Sequence, residues 1–259
     1  FYTVGSLEPV HPHIMWIFSS LGFSYDVLQA VLNVGLIYFF LNYAKLGSVN
    51  SIILFVLVLT SYYYFILFFE LDRLKLALLF LFWYLGVEEK KKILKAVLLL
   101  LMLLSHIQIV ILFSCVLLAN NIRSVLRVFK GYVSLQFITL LIFVTIVGLS
   151  LMDHLVGKIN SYFNTANLIS VSKIFIWPVI IYVIKSDLKF ALFVTFPILA
   201  SAMLFGSERI NILGYFLALI IVVKHPKNFI RNILLLNIYP LIKLTFFLPD
   251  FFDKKNLIR

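Results

Sequence analysis

The chain has 259 residues, of which 63% are hydrophobic and only 13% charged. A soluble domain carries roughly 45–50% apolar and ~25% charged residues and cannot hide so much apolar surface, so a soluble enzyme and a disordered chain are both excluded. The net charge of +11 fits cationic cytoplasmic loops of an integral membrane protein. No basic stripe with interleaved aromatics lies outside the apolar runs, so nucleic acid is not an expected partner.

Residues 1–24 are mixed and carry Glu8, Pro9, His11, Pro12 and His13 but no Lys or Arg. Apolar runs follow at 25–44, 49–69, 74–87, 94–119, 133–152, 168–184, 190–205, 210–223 and 232–248. Runs of this length suit helices rather than barrel strands of alternating polarity. They predict an all-α, polytopic membrane protein of about ten spans, with 1–259 as a single integral membrane domain. Because the first residue is Phe1 and not Met, the start of the chain is expected to be missing.

The run 94–119 as one helix would be about 39 Å long, too long for a ~30 Å hydrocarbon core without strong tilt. The alternative is two short spans meeting at Ser105 and His106. Loop charge decides between them. With the split, Lys45, Lys90, Lys91, Lys92, Lys95, Arg123, Arg127, Lys130, Lys185, Lys189, Lys224, Lys227 and Arg231 fall on one side, and only Arg73, Lys75, Lys158 and Arg209 on the other. Without it, the bias disappears. The positive-inside rule therefore favours the split and puts His106 on the outer face. The same topology gathers Glu8, His11, His13, Glu70, Asp72, Arg73, His106, Asp153, His154, Lys158, Glu208 and Arg209 on that face. Acids, bases and histidines mix only there.

Glu70 and Asp72 open the 74–87 helix, where the helix dipole alone favours acids. Arg73 opposes that dipole. Its reason for being there is either an anionic ligand, held with the free helix N–H groups, or an ion pair with Glu70 or Asp72. Glu208-Arg209 repeats the arrangement before 210–223, with a snorkelling ion pair as the alternative. His106, with Gln108 nearby, is either an acid/base group or a hydrogen-bonded structural histidine. Lys173 either snorkels outward or reaches the same anion as the arginines. Glu8, His11 and His13 form only a weak zinc pattern, and no metal site is expected. Tyr62-Tyr63-Tyr64 fits an interfacial aromatic belt. The single cysteine, Cys115, allows no internal disulfide. Phosphate-loop, dinucleotide and nucleophile-elbow motifs are absent, which removes ATPase, dinucleotide and serine-hydrolase readings.

The order of these residues resembles a family. Glu8-Pro9 precedes a membrane span, and Arg73-Leu-Lys-Leu-Ala77 opens a short one. A basic loop follows, then an apolar run ending in His106, then Glu208-Arg209-Ile210 before Tyr215-Phe216. This is similar to the EpsG-like and O-antigen polymerase (Wzy) proteins of bacterial envelopes, over roughly residues 7–220. Two departures are Gln108, where a small residue often follows the histidine by two, and the longer spacing to Tyr215.

The resemblance implies a multi-span, GT-C-like glycosyltransferase of the bacterial inner membrane, used in lipopolysaccharide or exopolysaccharide biosynthesis. It would move a growing glycan from undecaprenyl diphosphate to a sugar hydroxyl of the next lipid-linked repeat unit, on the periplasmic face. The partners implied are the undecaprenyl-diphosphate-linked oligosaccharide, membrane lipid and a chain-length regulator, with no cofactor. Arg73, Arg209 and Lys173 would meet the diphosphate. Glu8, His106, Glu70 and Asp72 are the candidates for handling the acceptor proton. The rival readings are a flippase or transporter of lipid-linked oligosaccharide, an O-antigen ligase-like transferase and, more distantly, an acyltransferase.

Overall fold

The computed structural model describes residues 8–69, 71–128, 172–205, 207–225 and 228–256. Among them every regular element is helical and none is a strand. The helices are α1 (Val10–Ser20), α2 (Tyr25–Ala44), α3 (Ser48–Leu59), α4 (Tyr62–Phe69), α5 (Asp72–Gly86), α6 (Lys92–Ser105) and α7 (Ile109–Val128). A 3-10 turn at Lys173–Phe175 is followed by α8 (Ile176–Lys185), α9 (Leu188–Phe205), α10 (Ser207–Lys224) and α11 (Phe229–Asn256). The run expected at 133–152 and the start of that at 168–184 lie outside the described residues.

Among the described residues, two helices are long and apolar enough to cross a membrane: α2 and the Phe229–Pro249 stretch of α11. The pair α3–α4 makes a third if counted as one broken span, bent by 66°. The sequence pattern reads 49–69 as one uninterrupted run; the structure breaks it at Thr60–Ser61. The Thr60 hydroxyl donates back to the carbonyls of Val56 and Leu57, a local bond that competes with the helical ladder. The run 94–119 is broken as expected. α6 stops at Ser105, His106 adopts an extended backbone, and α7 starts at Ile109.

The chain packs as two compact units: residues 1–110 with 221–259, and residues 111–220. In the first, α2 buries Leu28, Leu32, Leu36 and Phe40, a stripe at i, i+4, i+8 and i+12, against α5. The two helices run parallel. Gln29 meets Lys75, Gly35 lies against Leu79, and Phe39 stacks on Trp83 at 4.6 Å. Helix α6 returns antiparallel to α5, with Lys95 over the Tyr84 ring near one end and His106 near the start of α5 at the other. One end of this three-helix layer therefore carries Tyr25, Asp72, Arg73 and His106. The opposite end carries Lys45 and the lysines at 90–92 and 95. Loop charge separates Asp72, Arg73 and His106 from these lysines in the same way.

In the second unit, the Trp177 indole is fully buried and donates to Asn211 Oδ1 at 2.9 Å. Tyr215 meets its ring edge-on. The backbone of Gly214 lies so close that an added Cβ would stand 2.3 Å from the indole.

Candidate functional site

The site is built on Glu8, just ahead of α1. The residue is buried and receives three donors. Arg73 Nη1 donates to Oε2 at 2.9 Å, and Oε1 accepts from His106 Nδ1 at 2.9 Å and from the Ile107 N–H at 3.1 Å. The last two are available because α6 ends at Ser105. With the helix broken, the Ile107 N–H turns to a side chain and not to a carbonyl four residues back. Burial by itself would raise the Glu8 carboxyl. The hydrogen bond and charge of His106 and the hydrogen bonds from Arg73 and Ile107 outweigh it and hold the group well below the ordinary carboxylate range. Three donors therefore favour the charged form of Glu8. It suits orienting His106 better than accepting a proton.

His106 Nε2 faces Gln108 Oε1 at 3.2 Å. Both ring nitrogens then face acceptors, an arrangement made by the imidazolium. Rotating the Gln108 amide by half a turn lets its nitrogen donate to a neutral ring instead, with Nδ1–H kept on Glu8. As drawn, the Gln108 nitrogen is buried and without a hydrogen-bond partner among the described residues. Either orientation leaves one Gln108 amide atom without a hydrogen-bond partner among the described residues. A hydroxyl, donor and acceptor at once, satisfies both.

Arg73 sits in the first turn of α5, where its cation opposes the helix dipole. Among the described residues it pairs with Glu8, 65 positions away. Just over a third of its side chain is exposed.

Asp72 belongs to a second, adjoining cluster. The Tyr25 hydroxyl donates to its Oδ2, Lys75 Nζ lies 3.4 Å from its Oδ1, and His11 Nε2 is 3.9 Å from its Oδ2. Lys75 is wholly buried. It also donates to Gln29 and to the Phe68 carbonyl at 2.8 Å, so it caps the C-terminus of α4. These contacts bind Asp72 into a structural ion pair. Burial pushes the His11 imidazole below its ordinary value, helped by Arg73 and Lys75 and opposed by Asp72. His13 points elsewhere, toward the Pro9 carbonyl at 2.6 Å.

Of the expected site residues, the structure brings Arg73 and His106 onto the Glu8 carboxylate and puts Asp72 next to Arg73. Glu70 lies outside the described residues. Arg209 falls in the first turn of α10, and its side chain is likewise outside them. Lys173 belongs to the second unit, where it is exposed. Sequence reasoning missed Lys75, Tyr25 and Gln29 as a cluster. Gln29 and Lys75 inside apolar helices were the available signal, since polar groups at such positions are costly unless paired.

Comparison with family models, with curated proteins and with solved structures finds no match. The site is therefore read from its own chemistry.

Proposed function

We propose that this chain is a membrane transferase of about ten spans and GT-C-like architecture, which joins lipid-linked oligosaccharide repeat units at the periplasmic face of the bacterial inner membrane. The observation that carries the reading is the Glu8–His106 pair with Arg73 on the same carboxylate. It lies at the helix ends opposite the lysine-rich end, and the positive-inside rule supports reading that end as outward.

In this reading the acceptor hydroxyl displaces the Gln108 amide from His106 Nε2, and the neutral ring takes the hydroxyl proton there, with Glu8 holding Nδ1–H and stabilising the cation that forms. The hydroxyl oxygen bonds to the anomeric carbon of the donor glycan. The bond from that carbon to the lipid diphosphate breaks, and its electron pair leaves with the diphosphate. Arg73 meets the growing negative charge with its guanidinium fork.

The test is purified protein in lipid vesicles with undecaprenyl-diphosphate-linked repeat units, with and without EDTA. A ladder of products longer than one repeat unit, unaffected by EDTA, supports the reading. No extension by the wild-type chain overturns it. Activity lost in EDTA and regained with Mg²⁺ overturns the assignment of the leaving-group charge to arginine alone.

A further inference from the structure

Helix α1 has 11 residues, so it is about 16 Å long and cannot cross a ~30 Å core. Its two sides differ. His11 is buried beside Asp72, and Glu8 precedes the helix at the site just described. Trp16, Ile17, Leu21 and Phe23, by contrast, stand exposed, Trp16 at 70% and Leu21 at 67%. The helix contains no Lys, Arg, Asp or Glu. A face of this kind left in water would be a costly apolar patch.

What covers it follows from continuity. α2 begins at Tyr25, four residues after α1 ends at Ser20. Val27, Val31, Val34 and Tyr38 form an exposed stripe at i, i+4, i+7 and i+11 down α2, opposite its buried leucines. The exposed face of α1 runs into the top of that stripe. A short helix with Trp outward, joined to the mouth of a span, has the chemistry of the boundary between headgroups and acyl chains. The exposed Ser19, Ser20 and Ser24 supply polar groups at the same level.

We infer that α1 is an interfacial helix that lies on the outer leaflet, with Trp16, Ile17, Leu21 and Phe23 seated at the headgroup–acyl boundary. Its inner side then holds Glu8, His11, Arg73 and His106 at the depth of lipid phosphates. With no cation on the helix, seating depends on apolar area and not on anionic lipid. The inference rests on the membrane reading alone and needs no glycan transfer, so it stands or falls apart from the proposed function.

The experiment uses the full chain in phosphatidylcholine vesicles, with a nitroxide at Ile17→Cys or Leu21→Cys and, for comparison, at Val34→Cys. Cys115 is buried, and labelling of the wild type measures its background. Relative accessibility to oxygen and to a water-soluble nickel chelate reports depth. The expected result places 17 and 21 within about 5–10 Å of the headgroup boundary. Residue 34 should lie about 13 Å deeper than the start of α2. Adding anionic lipid should leave the values unchanged. Three outcomes overturn the inference: full exposure of 17 and 21 to the nickel chelate, a depth equal to that of 34, or dipolar broadening showing that a second copy covers the face.

Discussion

Glu8 Oε1 and His106 Nδ1 stand 2.9 Å apart across 98 positions of sequence. The contact closes the residues ahead of α1 onto the break between α6 and α7. It joins a carboxylate that accepts three hydrogen bonds to a ring whose other nitrogen is turned to Gln108.

Glu8→Gln keeps an acceptor oxygen but removes the charge that orients and stabilises His106. Chain extension should fall about ten- to a hundredfold in kcat, the equivalent of one charge-assisted bond at ~1.5–3 kcal/mol. Arg73→Lys should cost a similar factor, since Lys lacks the planar fork. Rates near wild type in both, with lipid-linked repeat units as substrate, would remove the pair from the mechanism.

Stability should depend on pH in two windows. The folded His11 resists protonation, so below its ordinary value near ~6.5 the unfolded chain binds more protons and stability falls with falling pH. Glu8 is depressed, so its contribution is complete above the ordinary carboxylate value of ~4.3 and is lost as pH drops through its lower folded value. Thermal unfolding in detergent should show the upper window vanish in His11→Gln and persist in Glu8→Gln.

Lys75→Ala should destabilise by about 3–5 kcal/mol, because Asp72 and the Phe68 carbonyl lose a buried cation. The double change Lys75→Met with Asp72→Leu should recover much of the loss. Denaturant midpoints of the two variants check this. Equal loss in both would mean that the unpaired Asp72 left inside α5 is not the source of the loss.

Gly214→Ala puts a methyl 2.3 Å from an indole held by Asn211, which cannot swing aside without giving up that bond. The cost should be about 1–3 kcal/mol or more, with Trp177→Leu in the same chain restoring part of it. Calorimetric or denaturant unfolding measures both.

Sidedness can be read at exposed positions, since Ser105 and His106 are themselves buried. A cysteine at Ser19 should react with an impermeant thiol reagent in intact spheroplasts. One at Glu89, whose side chain is 92% exposed at the lysine-rich end, should react only after lysis. The reverse pattern would invert the topology.

Composition alone settles that the chain is helical and apolar enough for a membrane, because solvation energy depends on what residues are present and how long their runs are. The break at 106–108 and the separation of lysines from the acid-and-histidine end were also legible, since both follow from run length and loop charge. Which acid meets which cation was not. Sequence spacing offers Glu70 and Asp72 to Arg73; it does not offer Glu8, which reaches Arg73 from 65 positions away once the packing of α2 and α6 on α5 brings them to one end. The sharp bend between α3 and α4, and Lys75 capping α4, are likewise tertiary outcomes. Hydropathy is summed along the chain, whereas a buried charge is satisfied by whichever donor or acceptor the packing places within about 3 Å of it, however far away in sequence.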